Sequence, residues 1–288
     1  KNKETGQVVH EFKITKPVQV LFEGVNTEIY SNPTETLSEL DKLETDFNFL
    51  FVGHWLKGDV GQDRKDVGMV IRTFATVFKY LPKAKRPGLL MKTSSAGVSV
   101  MDREAIREKI DGILQPFGDD APAVYLLHGD LSDNEMASLY HHPKVSAMVS
   151  FTKGEGYGRP LAEFTLTGKP ILVSNWSGHI DFLKQGAVLL EGELKPVHES
   201  AADQFLLKEA QWFNVNVSKA LPAIKDVYKN YDKYKTASYQ LGKQNKQNFS
   251  LEKMTKLFDT ILNQYGIYTK IQPKFQQLQL PKLKMLNK

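Results

Sequence analysis

The chain has 288 residues, 41% hydrophobic and 25% charged; this balance excludes disorder as the default and suits one sizeable core, with or without an extension. Cysteine is absent, which excludes disulfides, thiolate metal sites and a cysteine nucleophile and fits a reducing, cytoplasmic compartment. The net charge of +5 is lopsided, because residues 219–288 carry 14 Lys against four acids, Asp226, Asp232, Glu252 and Asp259.

Those lysines are spread among Tyr, Leu and Gln, as on solvated helix faces, although a basic region also suits nucleic acid or an anionic membrane surface. The opening stretch KNKETGQVVHEFKITKPVQV starts at Lys1, is polar and carries no helix cap. It is expected to be a piece from the interior of a longer polypeptide. No apolar run of about 18 residues and no secretory leader is found, so no transmembrane segment is expected.

From residue 47 short apolar runs alternate with amphipathic stretches: FNFLFVG then VGMVIRTFATVFKYL, GLLMKT then DREAIREKIDGIL, AVYLLHG then SDNEMASLYHH, VSAMVSF then RPLAEFTLTG, KPILVSN then HIDFLKQG, and finally AVLLEG. Continuous apolar runs are the mark of strands buried on both faces, and their alternation with segments of helical period predicts an α/β fold, a doubly wound parallel sheet. Ser132 to Glu135 reads as a capping box and Pro160 suits the first turn of a helix. Beyond about residue 200 the strands are expected to stop: SAADQFLLKEAQWF, SKALPAIKDVYKNYDKYKTASYQLGK and SLEKMTKLFDTILNQYG read as helices, and IQPKFQQLQLPKLKMLNK as an extended arm.

Ligands of open parallel sheets bind beyond the carboxyl ends of the strands, so chemistry is sought in the turns after FLFVG, LLMK, YLLHG, MVSF and ILVSN. The richest is Ser150 to Glu163, which passes Gly154, Gly156 and Gly158 before a helix start near Pro160. Glycines there allow positive φ and close approach of a ligand, while a helix start favours an anion such as a diphosphate. Glu155 and Glu163 flank the turn, so both carboxylates can face one crevice.

EGYGRPLAE followed by FTLTGKPILVSNWSGHIDFL resembles the E, seven residues, E signature of the retaining glycosyltransferases that include glycogen and sucrose synthases. Gly168, Pro170, Ser177, Gly178 and Asp181 match the later positions of that pattern, FLFVG with DRKDVGMVIRTFATVF matches its first strand and Lys-bearing helix start, and LLHGDLSDNEMASLY its base-binding turn. WSGHIDFL, the lysine-rich helices and LPKLK resemble phage-encoded and related bacterial members, for which the compartment would be a host cytoplasm. The resemblance implies the GT-B fold, with residues 1–45 bridging from an N-terminal acceptor domain, 46–200 forming a Rossmann-like nucleotide-sugar-binding domain, and 201–288 a C-terminal helical region and arm. Val18 to Glu28 resembles the segment with which such chains leave the acceptor domain, which would be supplied by the same polypeptide or another.

The resemblance further implies a hexosyltransferase whose donor is a nucleotide-diphosphate sugar, with no cofactor. Glu155 would contact hydroxyls of the donor sugar; Gly156, Tyr157, Gly158 and Arg159 would offer backbone N–H groups; Glu163 would accept hydrogen bonds from the ribose; Lys65, with Arg64, would neutralise the diphosphate. His128, Gly129 and Leu131 would flank the base. Many relatives carry an Arg after the glycine of the first strand, where this chain has Gly53 and His54, so Arg64 or Arg159 would supply that charge.

The acceptor, whether glycan, protein, lipid or modified DNA base, is left open. Plainer readings make Lys65 and Arg64 solvated helix residues, His54 a core-edge histidine, His141 and His142 a helix end, and Trp176 and Trp212 packing residues. No D-x-D or H-E-x-x-H occurs, so no essential metal is expected. An epimerase-like sugar-nucleotide enzyme and a nucleotide- or DNA-binding module are the alternatives from other classes.

Overall fold

In the computed structural model the apolar runs become six parallel strands: β1 (Asn48–Val52), β2 (Gly88–Lys92), β3 (Val124–Leu127), β4 (Val145–Ser150), β5 (Ile171–Ser174) and β6 (Val188–Leu190). The structure describes residues 11 and 13–266, apart from 57, 96, 204, 205 and 208. Strand order is β3-β2-β1-β4-β5-β6, so the chain winds outward in both directions from β1 and β4. Between them lies the topological switch point, where such sheets open a ligand crevice.

Successive side chains of a strand point to opposite faces, and here both faces are covered. Phe49, Phe51, Leu89, Met91, Ala147 and Val149 pack on one face against α2 (Val67–Phe78), α3 (Val100–Leu114) and α7 (Val217–Lys229). Leu50, Leu90, Met148, Ile171 and Val173 pack on the other against α4 (Asp133–His141), α5 (Arg159–Thr165) and α8 (Tyr231–Asn248). Phe49, Leu50 and Phe51 are all fully buried, which is why the strand is apolar throughout rather than alternating. At α4 the Ser132 hydroxyl accepts the Glu135 N–H and the Glu135 carboxylate accepts the Ser132 N–H, a closed capping box.

The strands do not stop at residue 200. Past β6, Gly192–Pro196 and Gln211–Val215 pair antiparallel as a hairpin, β7 and β8. The stretch read from sequence as a helix ending in QWF is therefore a strand at its end; Phe213 and Val215 turn inward while Gln211 is exposed, a period of two that its short length concealed. Residues 204, 205 and 208 of that stretch, the arm at 271–288 and the opening residues 1–10 lie outside the described residues. The long helical reading of 218–243 divides at Asn230, between α7 and α8.

Before β1 the chain forms α1 (Thr27–Ser31), capped by the Asn26 side chain. Just ahead of it Val25 forms a parallel bridge with Ser250, its N–H donating to Phe249 (2.8 Å) and its carbonyl accepting from Leu251 (2.8 Å). The early segment is thus tied to the start of α9 (Leu251–Gln264).

Candidate functional site

The turns after β1 and β4 meet at the switch point. The Lys153 N–H donates to the Arg64 carbonyl (2.8 Å), joining the two loops, and the side chains then converge on Glu155. Its carboxylate forms an ion pair with Lys65, lies 3.3 Å from the Arg64 guanidinium and accepts from the Thr152 hydroxyl at 2.6 Å. Arg64 also donates to the Gly154 carbonyl (2.7 Å). Burial acts to raise the Glu155 carboxyl, but Lys65, Thr152 and Arg64 together hold it below its ordinary value. Burial pulls the Lys65 ammonium down, with Glu155 working against that pull.

The backbone of Glu155 is held by the turn after β5. Its N–H donates to the Ser177 hydroxyl (2.7 Å), and its carbonyl accepts from that hydroxyl and from the Gly178 N–H (3.1 Å). The close contact admits no side chain, since a Cβ at Gly178 would lie 1.9 Å from the Gly156 carbonyl oxygen. At Gly158, φ is +94° and a Cβ would come within 3.2 Å of His179. Gly156 differs: its φ is not positive and a Cβ there would meet nothing within 4 Å.

These geometries separate a glycine that shapes the turn from one that borders open space. Gly156→Ala is expected to leave the empty protein as stable as the parent or slightly more so and, if the ligand is the nucleotide sugar that the sequence resemblance implies, to lower its affinity at least tenfold. Gly158→Ala should destabilise the fold by about 1 kcal/mol or more. Scanning calorimetry and titration with UDP-glucose check both, and parental binding by Gly156→Ala would remove the open side of the turn from the site.

Tyr157 points inward, its ring 6.1 Å from Phe22 and 5.0 Å from Phe182. Arg159 is largely exposed, 3.7 Å from Glu163 and 4.0 Å from Glu23, so Arg64 is the arginine that stands beside Lys65. Glu163 is buried on α5 and belongs to a different hydrogen-bonded group from Glu155: the Tyr140 hydroxyl donates to it at 3.0 Å, with the Tyr30 hydroxyl nearby bonding Asp133 at 3.0 Å. Burial raises the Glu163 carboxyl, the Asp133 charge adds to this, and Tyr140 and Arg159 oppose it.

At the neighbouring strand ends, Gly53 donates its N–H to Lys92 (3.1 Å) and His54 Nδ1 lies 3.3 Å from the Ser94 hydroxyl. His128 Nε2 is 2.7 Å from Asp102, which also accepts from Ser95, and Gly129 gives its carbonyl to Lys92 with φ at +121°. Leu131 packs toward the core of the α4 face. His141 and His142 point to different partners, the Tyr30 carbonyl and the Asp41 carboxylate, as expected of neighbours on a helix end.

Comparison with solved structures gives three informative likenesses. A sucrose-phosphate synthase from Thermosynechococcus elongatus matches at 15% identity over 85% of this chain and 52% of that one, TM-score 0.57. HepE from Anabaena, in complex with UDP and glucose, matches at 14% identity over 85% of this chain and 57% of that one, TM-score 0.58. The C-terminal domain of LpcC, a glycosyl transferase group 1 family protein from Francisella tularensis, matches at 13% identity over 78% of this chain and 97% of that one, TM-score 0.53. The fold is that of a GT-B glycosyltransferase's Rossmann-like half. The chain spans about half the length of the synthase and of HepE. No protein-family model and no curated protein sequence matches it.

A buried group beside the site, Asp63, Asp66 and Lys153, was not singled out in the sequence reading. Asp63 and Asp66 are buried beside Lys153, whose ammonium lies 3.6 Å from Asp66 and bonds the Gly61 carbonyl. Burial pushes Asp66 up to about 7; Lys153 opposes the rise and the Asp63 charge adds to it. An aspartate raised in the folded state binds more protons there than when unfolded, so stability is lost as pH rises from the unfolded value of about 4 towards 7. Asp66 has φ 54°, which Asn tolerates. Asp66→Asn should therefore gain several degrees of Tm on the parent between pH 4.5 and 7.5, and a constant difference in melting temperature would refute the buried titration.

Proposed function

We propose that this chain is the donor-binding part of a retaining, metal-independent glycosyltransferase that moves a hexose from a nucleoside-diphosphate sugar to an acceptor. The observation that carries the reading is the Lys65, Arg64 and Glu155 cluster at the switch point, bordered by the open backbone at Gly156. HepE, which has the same fold, binds UDP and glucose.

On this reading Lys65 and Arg64 turn from Glu155 towards the diphosphate and stabilise the charge that builds on it as the sugar departs, an effect of preorganised groups. Glu155, relieved of its cations, accepts hydrogen bonds from sugar hydroxyls and fixes the ring. Glu163 accepts from the ribose through the oxygen that Tyr140 leaves unused, and His128 and Gly129 border the base. No side chain acts as a covalent nucleophile. An acceptor-binding half faces this one, and the residues preceding β1 form the bridge to it.

Titration calorimetry with UDP, GDP, ADP and their glucose conjugates tests the reading. Binding of at least one below millimolar concentration is expected, and no binding by any at millimolar concentration overturns it. Glu163→Gln should weaken the bound nucleotide by roughly 1–3 kcal/mol, the range for hydrogen bonds to a charged group, while the free base binds as before. Unchanged nucleotide affinity in a folded variant removes the ribose role.

A further inference from the structure

A cleft of about 800 Å³ lies between α2 and α3 and shares no residue with the Glu155 cluster. Its lining begins with Trp55 and Asp59 of the turn after β1 and continues through Arg72, Lys79 and Lys109 to Phe117. Each helix runs back from the strand end that precedes it, so Lys79 and Phe117, just past the far ends of α2 and α3, lie toward the edge where the strands begin. Arg72 and Lys79 stand two turns apart on one face of α2, and Lys109 and Gly112 share a face of α3.

The cations of this cleft are held in place but not neutralised. Nearby, Arg86 pairs with Asp120, and Arg103 and Arg107 pair with Glu104. Arg72, Lys79 and Lys109 have no carboxylate partner among the described residues. The Lys109 ammonium lies 5.2 Å from the centroid of the buried Trp55 ring, and the Lys79 ammonium 5.7 Å from that of Phe117. An aromatic face positions a cation without cancelling its charge. Among the described residues lining the cleft Asp59 is the sole acid, so positive charge is in surplus. The space is also kept clear: a Cβ at Gly112 would meet nothing within 4 Å, and a glycine inside a helix costs stability that no neighbour here recovers. The volume falls within the roughly 300–1,000 Å³ of small-molecule pockets. A phosphate ester suits this lining, since an arginine fork and two ammonium groups bind such an anion through charge-assisted hydrogen bonds. A long polyanion does not, because Glu108 and Asp111 on α3 and Asp119 and Asp120 beyond Phe117 are exposed beside the lining residues.

We propose that the cleft between α2 and α3 is a second ligand site, which takes a small phosphate-bearing molecule with its anionic group among Arg72, Lys79 and Lys109 and its body across the bare helix surface at Gly112. The site does not depend on the donor-binding reading, and the test keeps the two apart. Titration calorimetry on the full chain, with and without saturating UDP, uses pyrophosphate, ribose 5-phosphate and AMP, with ribose and adenosine as their uncharged counterparts. At least one phosphate should bind below millimolar concentration in the presence of UDP, and neither uncharged compound should bind. Arg72→Gln and Lys109→Gln should each weaken that phosphate at least fivefold. Gly112→Phe, which fills the space and leaves the charge unchanged, should do the same. Arg72 and Lys109 are exposed, so those two variants carry the test if Gly112→Phe fails to fold. No binding of any phosphate, or binding unchanged in the variants, overturns the proposal. So does complete displacement by UDP, which would put the phosphates beside Lys65. Binding of a 20-residue single-stranded oligonucleotide with none of the three small phosphates would also overturn it, in favour of a nucleic-acid surface. If the chain binds no UDP, the donor reading fails and the three variants alone decide the cleft.

Discussion

Lys65→Ala is expected, on the proposed donor-binding reading, to slow sugar transfer by about 100- to 1,000-fold, the usual loss when one preorganised group facing developing charge is removed. In the unliganded protein Lys65 is spent on Glu155, so its removal also frees that carboxylate, with only Arg64 and Thr152 left to hold it. The Glu155 carboxyl should then rise, because the largest of the influences lowering it is the Lys65 charge. Initial rates of UDP release from UDP-glucose provide the readout. A folded variant within threefold of the parent would mean that Lys65 does no more than tether a loop.

Gly178→Ala should be the most damaging single methyl in the molecule near the site. Its Cβ would lie 1.9 Å from the Gly156 oxygen, 2.9 Å from the Gly156 carbonyl carbon and 3.1 Å from the Glu155 oxygen. These are backbone atoms, which cannot rotate away as a side chain can. The turn after β5 must therefore lift from the turn after β4, breaking the Ser177 and Gly178 hydrogen bonds that position Glu155. Overpacking of this kind costs about 1–3 kcal/mol, and nucleotide-sugar binding should fall with it. Gly154→Ala is the control, since a Cβ there has only the Ser177 hydroxyl at 4.0 Å. Thermal melts that rank the two variants equal would refute the argument.

The sheet was legible in the sequence because its strands are buried twice over: Phe49, Leu50 and Phe51 are apolar in succession since neither face meets water. The hairpin was illegible for the converse reason. Trp212 and Asn214 are only half-buried and Gly192 to Pro196 is exposed, so neither strand shows the continuous apolar run that marks β1, and QWF was absorbed into a helical reading. Among the site residues, Glu155 and Gly156 could be found because a glycine-rich strand-to-helix turn is a local pattern. Asp102 carries no such signal; it matters through His128 and Ser95, which only the fold brings to it. The same holds for Asp63 and Asp66, whose burial beside Lys153 depends on two loops meeting. Glu155 and Glu163, read as facing one crevice, proved to have separate partners, because the helix turn between them sets Glu163 against Tyr140.

The bridge between Val25 and Ser250 makes distant parts of the chain one cooperative unit. Val25 is fixed by two backbone bonds to the α8–α9 junction, and only a few residues later Tyr30 packs 6.1 Å from Tyr140 and bonds Asp133 beside Glu163. Ordering α9 therefore lowers the entropy still to be lost in ordering α1 and, through it, the surroundings of Glu163. Fraying of α9 propagates in the opposite direction along the same path, so loss of the Val25 bridge loosens the surroundings of Glu163 as well.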